Sequence, residues 1–212
     1  MECVLCKSDS AAEFSTINNK LYYKCGECGL IFLDSKYFPS VEEEHERYNS
    51  HNNDPGDERY IEHIKQLTDK MLPYLKDGDT GLDFGSGAGK PVEHILVKTG
   101  YSVYSYDPFF FDHKHLLQNK YDFITCIETA EHFHDPAKEF DLISTILKPA
   151  GLLGLMTNLY TEEINFDEWW YHRDPTHVCF YSTGTIKWLS EIYNWDILSL
   201  SGNVVVFQSS LT

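Results

Sequence analysis

The sequence predicts an α/β protein: a doubly wound, mostly parallel sheet with an antiparallel last strand, and a small cysteine-held module at the N-terminus. Three observations carry that expectation. The apolar run GLDF at 81–84 opens at once into the glycine-rich turn GSGAGK at 85–90, the pattern of a buried strand, a tight turn and a helix start. Downstream, short apolar runs alternate with helical periodicities until a Gly202-Asn203 turn joins two final strand-like runs into a hairpin. Two C-x2-C pairs lie within the first 28 residues.

A chain of 212 residues holds one core of ordinary size with room for an appended module. The expected division is a module at 1–38, an acidic connector with a covering helix at 39–76, and the main domain at 77–212. The formal charge of −16 speaks against a phosphate-backbone partner, because nucleic-acid binders usually carry a basic footprint. No run of eighteen apolar residues occurs, and MECVLCKSDS lacks the charged-then-apolar layout of a signal peptide. A soluble, cytoplasmic protein without a membrane partner is expected.

Cys3, Cys6, Cys25 and Cys28 are spaced C-x2-C, eighteen residues, C-x2-C, the ligand arrangement of a zinc ribbon. Each knuckle offers two thiolates on one turn, and two knuckles close a tetrahedron. Residues 14–17, 21–24 and 30–33 read as its strands. A module this small needs the metal for folding energy, so a structural zinc is expected, with a redox dithiol or unmetallated cysteines as the alternatives. Four thiolates leave no open position for catalysis by that ion. Five acids against three lysines over residues 1–35 speak against a nucleic-acid finger.

Residues 40–58, with EEEHE and NNDPGDE, read as a solvated connector. Asp54 and Pro55 make a helix start, and Tyr60, Ile64, Leu67 and Met71 recur at helical spacing, which predicts a helix over about 55–72 ended by Pro73.

In the glycine turn the third glycine comes four residues after the first and position 90 is lysine, which disfavours the dinucleotide pattern. The run Asp83, Gly85, Gly87, Gly89 instead resembles motif I of the class I S-adenosylmethionine (SAM) dependent methyltransferases. That resemblance implies a Rossmann-like methyltransferase sheet and places Asp83, Gly85, Ser86, Gly87 and Gly89 at the cofactor. Asp107 ends the next strand-like run, YSVYSYD, 24 residues after Asp83, about the distance at which an acid takes the ribose hydroxyls of a nucleoside. Pro108 follows it; the alternative is a solvated strand-end aspartate. Only thirteen residues separate Asp107 from the apolar run YDFITCI at 121–127, so the family's third strand is expected to be shortened or lost, with adenine resting on Phe109, Phe110 or Phe111.

ETAEHFHDP at 128–136 resembles the EH..DP segment of a methyltransferase subgroup that includes quinone-biosynthesis O-methyltransferases and sugar C-methyltransferases, and LKPAG at 147–151 resembles that family's glycine turn. The resemblance implies Glu128 at the cofactor and His132 at the mouth of the site, where imidazole suits a general base. Asp135 and Pro136 start a helix with Phe140, Ile143 and Leu147 inward, followed by a strand at 152–157.

The long stretch 158–182 should hang over the carboxyl ends of the strands. Trp169, Trp170, Tyr171, His172 and His177 either wall a pocket there or anchor the loop to the core. His172 and His177 are further candidates for the base. By analogy with relatives whose covering helices close the site, Tyr48 and His51 are candidates for a lid. Ser182 caps a helix carrying Ile186, Leu189 and Ile192, and the final hairpin is expected at 195–200 and 204–208. The implied activity is SAM-dependent methyl transfer to oxygen or carbon of a small-molecule acceptor. The alternatives are a non-catalytic SAM-binding scaffold, and an RNA methyltransferase that holds its substrate with the ribbon.

Overall fold

A computed structural model describes residues 1–50, 54 and 56–211. His51, a lid candidate, and Pro55, the expected helix start, lie outside the described residues. The N-terminal module is an antiparallel sheet of β1 (Ala11–Ile17), β2 (Lys20–Cys25) and β3 (Ile31–Leu33). The connector is not simply solvated chain. Val41–Asn49 forms helix α1, begun by a capping box in which Ser40 and Glu43 satisfy each other's backbone N–H groups. Glu58–Met71 forms α2, capped by Asp57 in place of the expected Asp54. Its Ile64, Leu67 and Met71 are buried, as the helical spacing requires.

The main sheet begins with β4 (Thr80–Phe84), which the glycine turn links to the short helix α3 (Pro91–Leu96), and continues through β5 (Ser102–Tyr106) and β6 (Tyr121–Ile127). Helix α4 (Pro136–Ile146) leads directly into the long β7 (Leu147–Met156), so Leu147 belongs to the strand and Ile146 takes the expected inward place. After the loop and a two-residue strand, β8 (Cys179–Phe180), come α5 (Thr183–Tyr193), β9 (Trp195–Ser201) and β10 (Val204–Ser209). The strand order is β5-β4-β6-β7-β10-β9, parallel from β5 to β7 and antiparallel where β10 meets β7 and β9. No third strand flanks β5 among the described residues. The chain turns back at once through an Asp107–Phe111 bridge and a 3-10 turn at Lys114–Gln118.

β8 pairs with β3, Ile31 opposite Phe180 and Phe32 opposite Cys179, so the loop after β7 supplies the fourth strand of the N-terminal sheet. The loop's aromatic residues pack there too. Phe166 lies 5.4 Å from Phe14, 5.3 Å from Tyr22 and 5.3 Å from Phe180, centroid to centroid. The small module thus shares one continuous core with the main domain.

Two close approaches fix the layers. Gly154 of β7 lies under α2, where a Cβ would sit 2.3 Å from the Met71 sulfur and 3.0 Å from Leu67. Gly81 of β4 lies under the Phe123 ring of its neighbour β6, and a Cβ there would fall 2.1 Å from a ring carbon. Phe123 is fully buried and cannot swing to solvent. Gly81→Val should therefore cost about 1–3 kcal/mol through overpacking. A lower urea midpoint at unchanged slope would show it, and an unchanged midpoint would contradict this packing.

Candidate functional site

The chain steps from β4 out to β5 and then crosses to the other side of β4 as β6, and a crevice opens outside the carboxyl ends of strands at such a switch point. A cavity of about 850 Å³ occupies it, roofed by α1 and α2. Its floor is the turn after β4. Gly85 has φ +80°, and a Cβ there would sit 2.2 Å from the Thr129 side chain, so the position excludes any larger residue. The N–H groups of Gly85 and Ser86 both donate to Tyr106 O, at 2.9 and 3.1 Å. Gly87 N–H donates to Asp107 Oδ2 at 2.9 Å. Asp107 Oδ1 in turn accepts from Phe109 N–H at 2.9 Å and Phe110 N–H at 3.1 Å. The two strand-end acids thus stand on neighbouring strands, with the glycine turn held between them.

Gly85, Ser86, Gly87, Asp107, Pro108 and Glu128 line the cavity together with Asp83; Gly89, further along the turn, does not. Phe109 and Phe110 line it as well, whereas Lys90 Nζ sits 3.7 Å from the centroid of Phe111.

Asp83 is buried at the end of β4. Its Oδ1 accepts from Thr125 Oγ1 at 2.8 Å, while Oδ2 has no hydrogen-bond partner. Burial pushes its carboxyl up to about 7 against the help of the Thr125 hydroxyl, and the nearby Asp107 and Glu93 charges add to the rise. Glu128 caps β6 at φ +46° and lies 3.4 Å from His63 Nε2 on α2. The hydrogen bond to Glu128 raises the His63 pKa against partial burial.

Glu131, His132 and His177 close the other side. Glu131 is fully buried, and burial first, then the Glu128 charge, pushes its carboxyl far above the ordinary range. Its Oε1 accepts a short hydrogen bond from Tyr171 O–H, which also sits 3.1 Å from Thr157 Oγ1 and accepts from Asn158 N–H at 3.3 Å. His132 Nδ1 is 3.0 Å from Thr176 O, His177 Nδ1 is 2.7 Å from Tyr171 O, and the two ring centroids are 4.8 Å apart.

His132 and His177 line the cavity; His172 does not. Its ring packs beside Tyr22 and Phe166 on the N-terminal sheet, with Nε2 3.3 Å from Asp167 O. Trp169 is buried among Tyr160, Phe166, Tyr171 and Phe180, Trp170 is exposed, and neither lines the cavity. Their part is to anchor the loop and cover its surface. Tyr48 does line the cavity, its hydroxyl donating to Glu44 Oε1 at 3.1 Å. Glu44, Tyr60, His63 and Glu131 contribute as well, and sequence reasoning had missed them. A buried position for Glu44 was masked by the acidic run around it. Tyr60 belongs to the predicted apolar stripe and His63 stands one helical turn after it, and that spacing was the available signal.

At the N-terminus, all four cysteines are free thiols whose Sγ atoms lie within 4.8 Å of one another. Cys3 and Cys28 approach to 3.6 Å and Cys6 and Cys25 to 3.4 Å. A tetrahedral ion with bonds of about 2.3 Å needs sulfur separations of about 3.8 Å, so the cluster fits a four-thiolate metal site. Glu27 N–H and Ser10 Oγ lie 3.4 and 3.3 Å from Cys25 Sγ, outer partners of the kind that orient metal ligands.

Asp83 makes the stability of the fold sensitive to pH. Its folded pKa of about 7 stands above the ordinary aspartate value of 3.8, so between those values the folded state holds a proton that the unfolded chain has released. Stability should fall as pH rises from about 4 to 7. Asp83→Asn should flatten the slope of melting temperature against pH in that window; an unchanged slope would show that Asp83 titrates normally.

The family model of the methyltransferase domain matches residues 57–200. A ubiquinone biosynthesis O-methyltransferase of Colwellia psychrerythraea is 33% identical over 93 residues, which are 43% of this chain and 37% of that protein. The matching stretch thus spans little more than a third of that curated relative. Among solved structures, a 1,6-didemethyltoxoflavin-N1-methyltransferase of Burkholderia thailandensis, with its acceptor and S-adenosylhomocysteine bound, superposes with a TM-score of 0.58 at 10% identity, covering 94% of this chain and all of its own. A SAM-dependent methyltransferase of Methanosarcina mazei gives a TM-score of 0.53 at 16% identity, over 68% of this chain and 98% of its own. At these identities the superpositions speak for the fold alone. With more than half of its length matched by the family model, this chain belongs to the methyltransferase domain family.

Proposed function

We propose that the protein is a SAM-dependent methyltransferase that transfers a methyl group to oxygen or carbon of a small-molecule acceptor, with a structural zinc in its N-terminal ribbon. The observation that carries this reading is the cavity between the Gly85–Gly87 turn, Asp107 and Glu128, which ends against two histidines. The unpartnered Asp83 Oδ2 and the acids around it fit a ligand that brings hydrogen-bond donors and positive charge. S-adenosylmethionine, when bound, supplies a methyl group on a positively charged sulfur. Asp107 would hold the ribose hydroxyls, with Pro108, Phe109 and Phe110 beside the base. The Gly85–Gly87 turn would back the amino-acid end, helped by Glu128 and His63. The α1–α2 roof would exclude water and align the acceptor, and alignment supplies much of the rate of such a displacement. The acceptor's proton would be removed at His132, with His177 beside it. His172 has no part in this proposal.

The division into ribbon at 1–38, connector and covering helix at 39–76 and catalytic domain at 77–212 is kept in this proposal, with one addition: residues 178–180 serve both end units. Among the described residues no helix is long and apolar enough to cross a membrane.

Calorimetric titration with S-adenosylhomocysteine should show binding at one site, weakened roughly tenfold or more by Asp107→Ala at an unchanged fold. No heat with either SAM or S-adenosylhomocysteine would overturn the reading. Binding without turnover across a broad acceptor panel would favour the scaffold alternative. Once an acceptor is known, His132→Ala should lower kcat about 10²-fold or more. Full turnover in that variant would remove His132 from the chemistry. Stripping zinc with a chelator should lower the melting temperature of the whole protein in one transition, since ribbon and domain share a core; an unshifted melt would contradict a structural metal.

A further inference from the structure

We propose that Glu131, His132 and His177 bind one divalent transition-metal cation in the cavity wall, at a second metal site separate from the four thiols. A carboxylate oxygen of Glu131 and one nitrogen of each ring lie within 4.8 Å of one another, close enough for a single ion to take all three. Two imidazoles with one carboxylate form a donor set that binds first-row divalent metals and leaves further coordination positions open.

The hydrogen bonds around the cluster prepare it for that role. Thr176 O and Tyr171 O, 3.0 and 2.7 Å from the two Nδ1 atoms, are carbonyls and can only accept. Each ring therefore carries its proton on Nδ1 and, when neutral, keeps its lone pair on Nε2. A backbone carbonyl behind the far nitrogen is the usual support of a metal-bound histidine. Glu131 Oε1 is taken by Tyr171 O–H, while Oε2 is buried with no hydrogen-bond partner among the described residues. A bare oxygen on a fully buried carboxyl is costly, and a cation at this place would satisfy it. The ligands are also positioned by backbone. Glu131 and His132 share the 3-10 turn after β6, and Val178 N–H, next to His177, donates to Glu131 O at 2.8 Å. The cavity wall carries seven carboxyl groups and a single lysine among its described lining residues, an electrostatic setting that draws a cation.

The consequence rests on the reading of this cavity as a methyl-acceptor site and sharpens it. A cation here would take a hydroxyl of the acceptor as a ligand and lower its pKa. The O–H bond would break with its proton passing to water; the oxygen then forms the new bond to the methyl carbon as the carbon–sulfur bond breaks. With the ion bound, both imidazoles would be its ligands, so activation of the hydroxyl by the cation would replace the base role given to His132 above, and the favoured acceptor class would be one with a hydroxyl free to coordinate.

The test uses the full-length, zinc-loaded protein with Mn²⁺ as the probe, because oxygen and imidazole donors suit Mn²⁺ and thiolates do not. Electron paramagnetic resonance of free Mn²⁺ should show one ion bound per chain. Glu131→Gln and His177→Ala should each weaken binding roughly tenfold or more, at unchanged zinc content and circular dichroism. His132→Gln, on a less buried ring, carries the same test if His177→Ala does not fold. Absence of Mn²⁺ binding at millimolar ion, with and without S-adenosylhomocysteine, would overturn the site, as would binding that all folded variants retain. Calorimetry with S-adenosylhomocysteine on the same samples keeps the two readings apart. Loss of nucleoside binding sinks the methyltransferase reading, whereas its presence without Mn²⁺ sinks only the cation.

Discussion

A few backbone hydrogen bonds along residues 178–180 hold together three parts of the molecule that are far apart in sequence. Leu33 N–H, on β3, donates to Val178 O at 2.9 Å, and Val178 N–H donates to Glu131 O at 2.8 Å. The strand that completes the N-terminal sheet is thereby the same strand that sets His177 beside Glu131 and His132. Cys179 Sγ donates to Phe133 O at 3.2 Å, one residue beyond that turn. From the opposite side, Arg47 on α1 reaches Asp174 Oδ2 with Nε at 2.9 Å and a terminal nitrogen at 2.6 Å, tying the roof of the cavity to the same loop. The N-terminal module therefore does more than decorate the main domain. It is the edge against which the His177 side of the cavity wall is built.

Charge is the second constraint. Asp83 and Glu131 are buried carboxyls, each with an oxygen that finds no hydrogen-bond partner among the described residues, and burial raises both pKa values. Folded proteins seldom keep such groups without a use, since each costs desolvation and returns no hydrogen bond. Both stand on the cavity, one at each end. Ligands that bring positive charge or donors to those ends would recover what folding gave up there, so binding and stability should be coupled.

Much of the fold was legible because it rests on local, periodic signals. The Asp83–Gly89 turn, the strand at 121–127, the cap at Ser182 and the closing hairpin follow from apolar runs, glycine placement and capping chemistry, and all were found. The loss of the third strand could be read from a simple count of residues between Asp107 and Tyr121. What escaped were relations set by tertiary packing. Nothing local marks Cys179–Phe180 as a partner for Ile31–Phe32, and so the tryptophans of the loop could not be assigned to core or pocket. Helix α1 was hidden because its acidic sequence has no apolar stripe to speak of; it is held by its capping box and the Arg47–Asp174 pair. Glu131 read as half of an EH motif, and its burial became visible only with Tyr171 beside it.

The missing strand also changes what Asp107 must do. With no neighbour beyond β5 among the described residues, the chain after Tyr106 turns with the help of the Asp107 carboxylate, which accepts from Phe109 and Phe110 N–H with one oxygen. Its other oxygen grips Gly87 N–H, so the same side chain that folds the edge also sets the height of the glycine turn. A carboxylate oxygen can accept more than one hydrogen bond, and with these directions taken the remaining lone pairs are held in fixed orientations. Structural and ligand-binding roles at this position are therefore not rivals. The turn immobilises the carboxylate, and if a diol binds there as proposed, a carboxylate already immobilised would lose less entropy than a solvated strand-end aspartate.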